Sequence, residues 1–241
     1  MFWRPPMIKH VLFDLDGTLI HFDHVLFVKN YVSLLSRKFA HLTNPVKFGE
    51  QILTATGLMI QSTDGSKTNA EIFWEYLSNN TGLSRETIDP LIENFYNQEF
   101  EELKELVTVP EILPIIRKII SKNIPITVAT NPVFPIKAVK NRLAWAGLQD
   151  IDFQLITTYE SSHYCKPNLQ YFQEIADTLG VKPEECLMIG NDVSEDLAAG
   201  KIGMKTYLLT DYILNRHNIK IQADYVGTVA DLTQDIKHIL G

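Results

Sequence analysis

The sequence predicts an α/β protein in which a parallel β-sheet, covered by helices on both faces, carries a separate all-helical segment. From Val109 onward, short apolar runs alternate with amphipathic helical patterns, which is typical of parallel strands joined by right-handed crossovers. Between Leu19 and Thr108 the pattern is instead one helix after another. Because this stretch directly follows the first strand, we expect it to lie over the carboxyl ends of the strands and to act as a cap.

The first strand is predicted at residues 8–13, where the apolar run Val11-Leu12-Phe13 stops at two acids and a glycine. Side chains alternate along an extended chain, so Asp14 and Asp16 point to the same side and can act on one ligand. Gly17 permits a turn that a larger residue would resist. Since ligands bind at this end of the strands in open α/β sheets, both carboxylates are candidates for a site.

The inserted segment is predicted to consist of amphipathic helices. A second helix begins at Pro45, with Gly57 as a candidate break, and Thr68 with Glu71 matches a capping box at the start of a third. Asp89-Pro90 predicts an N-cap and a first helical position for a fourth. The first helix has its apolar residues at spacings of three and four, namely Val28, Val32, Leu35, Phe39 and Leu42.

The rest of the chain supplies the other strands and helices of the predicted core. Three polar segments follow its strands: Thr130-Asn131, Lys166-Pro167 and the segment 190–196, which contains Asp192 and Asp196. Strand ends converge in a parallel sheet, so these groups predict a site for a hard cation and an anionic group. Helices are predicted at 110–122, 136–146, 169–179 and 194–201, and strands at 126–129, 153–156, 186–189 and 206–209.

Composition excludes several classes of protein. A net charge of -7 opposes a nucleic-acid partner, because binding to a phosphate backbone needs clustered Lys and Arg. No stretch approaches the roughly 20 apolar residues of a membrane span, so we expect a soluble protein without a membrane partner. Residues 1–6 do not resemble a secretory signal, and two cysteines do not make a disulfide framework, so the expected compartment is the cytoplasm. The sequence carries no signal for oligomeric state.

Taken in order, these motifs resemble the haloacid dehalogenase-like hydrolase superfamily. The resemblance rests on 14–18 (Asp-Leu-Asp-Gly-Thr), Thr130, Lys166-Pro167 and 190–192 (Gly-Asn-Asp) with Asp196, and it extends over the whole chain. It implies a Rossmann-like three-layer α/β/α core with a helical cap inserted after the first motif. The implied domains are residues 1–20 with 109–241 for the core and 21–108 for the cap.

The resemblance also implies a role for each motif in a phosphatase. Asp14 would attack phosphorus and form an aspartyl phosphate, and Asp16 would act as general acid and then as general base. Mg²⁺ would be the cofactor and a small-molecule phosphate ester the substrate. The implied metal ligands are Asp14, the main-chain carbonyl of Asp16 and Asp192. Asp196 is implied either to bind the metal directly or to contact the residues that bind it. The implied phosphate-binding residues are Gly17, Thr18, Thr130, Asn131 and Lys166.

Three alternatives stay open at this stage. A sugar-phosphate mutase would use the same motifs but return the phosphoryl group to its substrate, and a haloacid dehalogenase would use Asp14 on carbon. Asp16 disfavours the dehalogenase, because an acid beside a metal site suits phosphoryl oxygens rather than a halide. The third is a regulatory module that accepts a phosphoryl group without turnover. The predicted cap disfavours this alternative, because a lid that excludes water is a feature of enzymes that turn over.

The cap is expected to determine substrate specificity. Where many family members carry Asp-Ser after the first motif, this chain has 21–24 (His-Phe-Asp-His). His21, His24 and the polar loop Ser62 to Thr68 are therefore the candidate cap residues facing the site, because they lie near helix ends rather than on apolar stripes. Hinges are expected near residues 21–23 and 108–110.

Overall fold

The structure of the protein, a computed structural model, describes residues 7–241, and the expectation about a signal at residues 1–6 lies outside them. The strands are β1 (His10–Phe13), β2 (Ile126–Val128), β3 (Leu155–Ile156), β4 (Cys186–Gly190), β5 (Lys205–Leu209) and β6 (Tyr225–Gly227). The α-helices are α1 (His24–Lys38), α2 (Pro45–Gln61), α3 (Asn69–Thr81), α4 (Arg85–Asn97), α5 (Leu113–Ser121), α6 (Ile136–Trp145), α7 (Leu169–Leu179) and α8 (Val229–Ile239). Short 3₁₀ helices are Glu99–Leu106, Pro183–Glu185 and Asp196–Ile202.

The six strands form one parallel sheet in the order β3-β2-β1-β4-β5-β6, which confirms the predicted fold class. β1 lies between β2 and β4, with Phe13 opposite Val128 on one side and Ile189 on the other. From β1 the chain adds β2 and β3 on one side, and then β4, β5 and β6 on the other side. The crevice beside β1 is therefore the topological switch point, where ligands bind in sheets of this kind.

Alternation along β1 divides the core into the predicted layers. Val11 and Phe13 pack in one apolar cluster with residues of α5, α6 and α8, and Leu12 packs in another with Tyr171 and Phe172 of α7. Because β1 is covered on both faces, every one of its side chains is buried, as is typical of a central parallel strand.

The inserted helices α1 to α4 pack around an apolar cluster that also includes Ala138 and Trp145 of α6. Phe39 at the end of α1 stacks on Phe48 of α2, with ring centroids 4.5 Å apart, and Phe100 stacks on Trp145 of α6. The two chain segments that connect this cap to the sheet meet each other, because the amides of His21 and Thr108 each donate to the carbonyl of the other at 2.8 Å.

Two predictions within the cap are wrong. Gly57 does not interrupt α2, because Ala55 and Met59 on either side of it are buried and hold the helix in place. Helix α4 begins after Ser84 rather than at Asp89-Pro90. Proline lacks an amide hydrogen, so its position inside the first two turns removes only one helical hydrogen bond, and the buried side chains of the helix offset that loss. The capping box of Thr68 and Glu71 is confirmed.

In the core, most predicted elements are confirmed with shifted ends. α5 begins at Leu113 instead of residue 110, β3 is reduced to two residues, and the helix predicted at 194–201 is a 3₁₀ helix from Asp196 to Ile202. β6 and α8 lie in a part of the chain for which no element was predicted. Among residues 7–241, no helix has both the length and the apolar content that a bilayer crossing requires.

Candidate active site

The turn after β1 brings two carboxylates to the edge of the sheet. The amide of Asp14 donates to the carbonyl of Ile189 at 2.9 Å, so the pairing with β4 extends as far as this residue. Gly17 has a φ of 97°, and a Cβ there would lie 2.1 Å from the side-chain nitrogen of Asn191. Glycine is thus required at this position both for the backbone conformation and for the close approach of the two loops.

Lys166 joins two of the predicted site carboxylates. Its Nζ lies 2.8 Å from Oδ1 of Asp14 and 2.6 Å from Oδ1 of Asp196, and its side chain is only 1% exposed. Asp14 and Lys166 are 152 residues apart in the chain, so only the fold makes this contact. The structure therefore brings together the carboxylate after β1, the ammonium group and the carboxylate after β4.

The loop after β4 is held by its own acidic side chains. Oδ2 of Asp196 accepts hydrogen bonds from the amides of Asn191 and Asp192 at 2.9 and 2.8 Å, so both of its oxygens have partners. A Cβ on Gly190 would lie 2.2 Å from that Oδ2, which explains the glycine. Asp192 in turn accepts from the amides of Ser194 and Glu195 through Oδ1.

The site contains more negative than positive charge. Burial raises the pKa of Asp14 to about 8, with the Asp196 carboxylate adding to the effect and Lys166 opposing it. Burial alone would lower the pKa of Lys166, but Asp14 and Asp196 raise it well above its ordinary value. Burial also raises the pKa of Glu195 to about 7. A partly buried site in which the acidic groups outnumber the cationic ones is chemically suited to a divalent cation.

Such a cation would need other oxygen ligands besides side-chain carboxylates. Within residues 7–241, no three Asp, Glu, His or Cys side chains are grouped so that they could hold a metal by themselves. Oδ1 of Asp14 and Oδ2 of Asp192 both have a single cationic partner, Lys166 and Arg216 respectively. Two carboxylates together with a carbonyl and water match the oxygen ligands that Mg²⁺ takes, since it keeps several waters.

The predicted phosphate-binding residues divide into two groups. Thr130 and Asn131 line a cavity of about 360 Å³ that also contacts Asp14 and Asp192. Nδ2 of Asn131 donates to Glu195 at 3.1 Å. Gly17, Thr18 and Lys166 do not belong to the described cavity wall. The buried hydroxyl of Thr18 donates instead to Oδ1 of Asn191 at 3.2 Å.

Two arginines of the site were missed by the sequence reasoning. Arg142 of α6 is fully buried and forms an ion pair with Oδ2 of Asp16, while its guanidinium carbon lies 4.4 Å from the ring centre of Phe134. Arg216 donates to Oδ2 of Asp192 at 2.7 Å from the loop after β5. Neither arginine lies in a local motif, because each reaches a partner that is distant in the sequence.

The candidate cap residues have different surroundings. His24 lines the cavity, and burial lowers its pKa. His21 is buried but does not belong to the described cavity wall. Its ring centroid lies 4.0 Å from that of Tyr212. The expectation that the loop Ser62 to Thr68 faces the site is wrong, because this loop borders a separate surface depression and packs Gly65 against Tyr164.

The chain belongs to the haloacid dehalogenase-like hydrolase family, whose model matches residues 8–202. The match spans every predicted site residue from Asp14 to Asp196, and it confirms the resemblance on which the roles of these residues were based.

Three relatives illustrate the similarity. Pyrophosphatase PpaX of Bacillus mycoides is 25% identical over 236 residues, which cover 97% of this chain and 99% of the relative. Glyceraldehyde 3-phosphate phosphatase of Methanothermobacter thermautotrophicus is 26% identical over 248 residues, which cover 97% and 100%. The crystal structure of a HAD phosphatase from Thermococcus onnurineus matches with a TM-score of 0.58 and 23% identity over 97% of this chain and 98% of that one, which shows the shared fold.

Proposed function

We propose that this protein is a Mg²⁺-dependent phosphatase that hydrolyses small-molecule phosphate monoesters through an aspartyl phosphate on Asp14. The observation that carries the proposal is the contact of buried Lys166 with both Asp14 and Asp196 at the switch point of the sheet. This arrangement places a nucleophile beside a fixed positive charge, which an attack on an anionic phosphate requires. The names of the two curated relatives, a pyrophosphatase and a phosphatase, support the same chemistry.

The proposed reaction has two steps. In the first, a carboxylate oxygen of Asp14 bonds to phosphorus while the bond from phosphorus to the ester oxygen breaks, and Asp16 gives its proton to that oxygen. In the second, Asp16 takes a proton from water as the water oxygen attacks phosphorus and releases Asp14. Lys166, Thr130 and the amide of Asn131 would donate hydrogen bonds to the phosphoryl oxygens in both steps.

Asp14, the main-chain carbonyl of Asp16 and Asp192 are the residues that we propose to hold Mg²⁺. The ion would supply positive charge that offsets the repulsion between a carboxylate and a phosphate dianion. Asp196 acts differently in this proposal. Since both of its oxygens already have partners, it holds Lys166 and the loop after β4 in position.

We propose residues 21–108 as the cap, and residues 1–20 with 109–241 as the core. Movement of the cap about the paired segments at His21 and Thr108 would admit substrate and then exclude water. We place the protein in the reducing cytoplasm, because both Cys165 and Cys186 are buried and free.

The test is phosphate release from acetyl phosphate and a panel of phosphate monoesters, with Mg²⁺ present or removed by a chelator. Release should require Mg²⁺ and should be abolished in Asp14→Asn, because the amide cannot attack phosphorus. After acid quenching of a single turnover, mass spectrometry should locate the phosphoryl group on the peptide that contains Asp14.

The variant Asp16→Asn is compared with Asp14→Asn in the same assay. It should lower turnover by about 10²- to 10⁴-fold, the usual contribution of a general acid–base residue. Mg²⁺ binding, measured by calorimetry, should be retained because the main-chain carbonyl remains. Phosphate release that persists in the chelator, or in Asp14→Asn, would refute the proposed function.

A further inference from the structure

The cavity above the carboxylates has two chemically different ends. At the sheet, its wall contains Asp14, Asp16, Asp192 and Asn131. Its remaining volume extends between the helices of the cap, and the total of about 360 Å³ is typical of a small-ligand site. A phosphate group has five heavy atoms and would occupy only the end at the sheet. The rest of the cavity is therefore available to the alcohol part of the ester.

The cap supplies a wall that is mostly hydrocarbon. Helices α1 to α4 all contribute to it. Its apolar side chains include Val28, Val32, Leu53, Ile60, Phe73 and Ile92. On α2 the wall residues Ile52, Thr56 and Ile60 recur every four positions, so one continuous face of that helix borders the cavity. Leu53 and Ile60 are 49% and 42% exposed, so their surfaces are open to a ligand rather than packed in the cap core.

The hydroxyl groups that α1, α2 and α4 contribute to the cap wall already have hydrogen-bond partners. The hydroxyls of Tyr31 and Tyr96 form a hydrogen bond to each other at 2.8 Å, and that of Thr56 donates to the carbonyl of Ile52 at 2.9 Å. Among the described residues that line the cavity, Arg216 is the only lysine or arginine, and it is bound to Asp192 at the sheet end. The cap end thus provides no cation for a second anionic group and few partners for hydroxyls.

We infer that the substrate is the phosphate monoester of an apolar alcohol, either aromatic or branched aliphatic, whose hydrocarbon part lies against α1, α2 and α4. This inference rests on the proposed function and specifies its substrate class. A sugar phosphate would bury hydroxyl groups without hydrogen-bond partners, and such mismatches weaken binding strongly. Pyrophosphate would place its second phosphate against hydrocarbon, although a relative of this chain carries the name of a pyrophosphatase.

The substrate class is tested by comparing kcat/KM for 2-phenylethyl phosphate and 3-methylbutyl phosphate with the values for glucose 6-phosphate and pyrophosphate. Acetyl phosphate is included because its small leaving group tests phosphoryl transfer without filling the cap. The apolar esters should be preferred by about 100-fold. Turnover of acetyl phosphate without preference for the apolar esters would overturn the inference and leave the proposed function intact. No turnover of any of the five compounds would overturn both.

Variants of α2 locate the preference in the cavity. Ile60→Gln and Leu53→Gln introduce a polar amide into the wall at half-exposed positions, where the fold tolerates substitution. Each should lower the ratio of kcat/KM for 2-phenylethyl phosphate to that for acetyl phosphate by about tenfold. Leu58→Gln is the matched control, because Leu58 is 40% exposed on the same helix and lies outside this cavity wall. A ratio that changes equally in all three variants would overturn the inference.

Discussion

Replacing Lys166 by methionine removes the ammonium group that lies between two buried carboxylates. Methionine keeps most of the length and apolar volume of the side chain, so the main change is the loss of charge. Asp14 and Asp196 are then left facing each other without a cation between them in the metal-free protein. We expect the folded state to be strongly destabilised.

The size of the effect follows from burial. The side chains of Lys166 and Asp196 are only 1% and 2% exposed, and their ion pair measures 2.6 Å. Removing one partner of a buried ion pair typically lowers the free energy of unfolding by about 3–5 kcal/mol. The ion pair of Lys205 with Asp224 has the same 2.6 Å length, but its side chains are 39% and 30% exposed. Exposed pairs contribute about 0–1 kcal/mol, so Lys205→Met should change stability by no more than that.

The assay is urea unfolding of the wild type and both variants in a chelator, followed by circular dichroism. It is run at pH 9, above the pKa of about 8 that burial gives Asp14, so that this group is ionised in the wild type. A double variant, Lys166→Met with Asp196→Asn, should recover part of the loss because one of the two unpaired carboxylates becomes neutral. If Lys166→Met and Lys205→Met destabilise the protein equally, water reaches the carboxylates and the account of the buried charge cluster is refuted.

Two further predictions concern groups on either side of the sheet. Burial lowers the pKa of His10 from 6.5 to about 4, so the folded state binds fewer protons than the unfolded state between these values. Stability should therefore fall as pH decreases from about 6.5 to about 4, by at most about 3 kcal/mol, and urea unfolding of His10→Gln should show a correspondingly flatter pH profile. Arg142→Met should lower kcat by about tenfold or more, though less than Asp16→Asn, because Asp16 loses the partner that holds it. Steady-state kinetics would contradict this role if kcat were unchanged, and Arg142→Lys should restore part of the rate.

Much of the fold could be predicted because its signals are local. The capping box at Thr68 and Glu71 contains its own hydrogen bonds, and α7 has its apolar period and its terminal Gly180 within one short stretch. Errors occurred where packing decides the outcome. Pro90 is accommodated inside α4, and Gly57 inside α2, because buried neighbours hold those helices together.

The sequence by itself determined which polar groups follow the strands. Parallel pairing then brings the ends of neighbouring strands to one edge, so the motifs after β1, β2 and β4 had to lie near one another. Motif order and spacing were also sufficient for the family resemblance. Each of these properties depends on short segments and on the general geometry of a parallel sheet.

Only the tertiary structure decided which groups touch and what the cavity contains. The pair of Arg142 with Asp16 joins residues 126 positions apart, and no pattern around either one indicates the other. The cap helices looked alike in their apolar stripes, but packing buries part of each stripe and leaves Leu53 and Ile60 facing the cavity. Periodicity shows that a helix has an apolar face, whereas the contacts of that face depend on how separate helices pack in three dimensions.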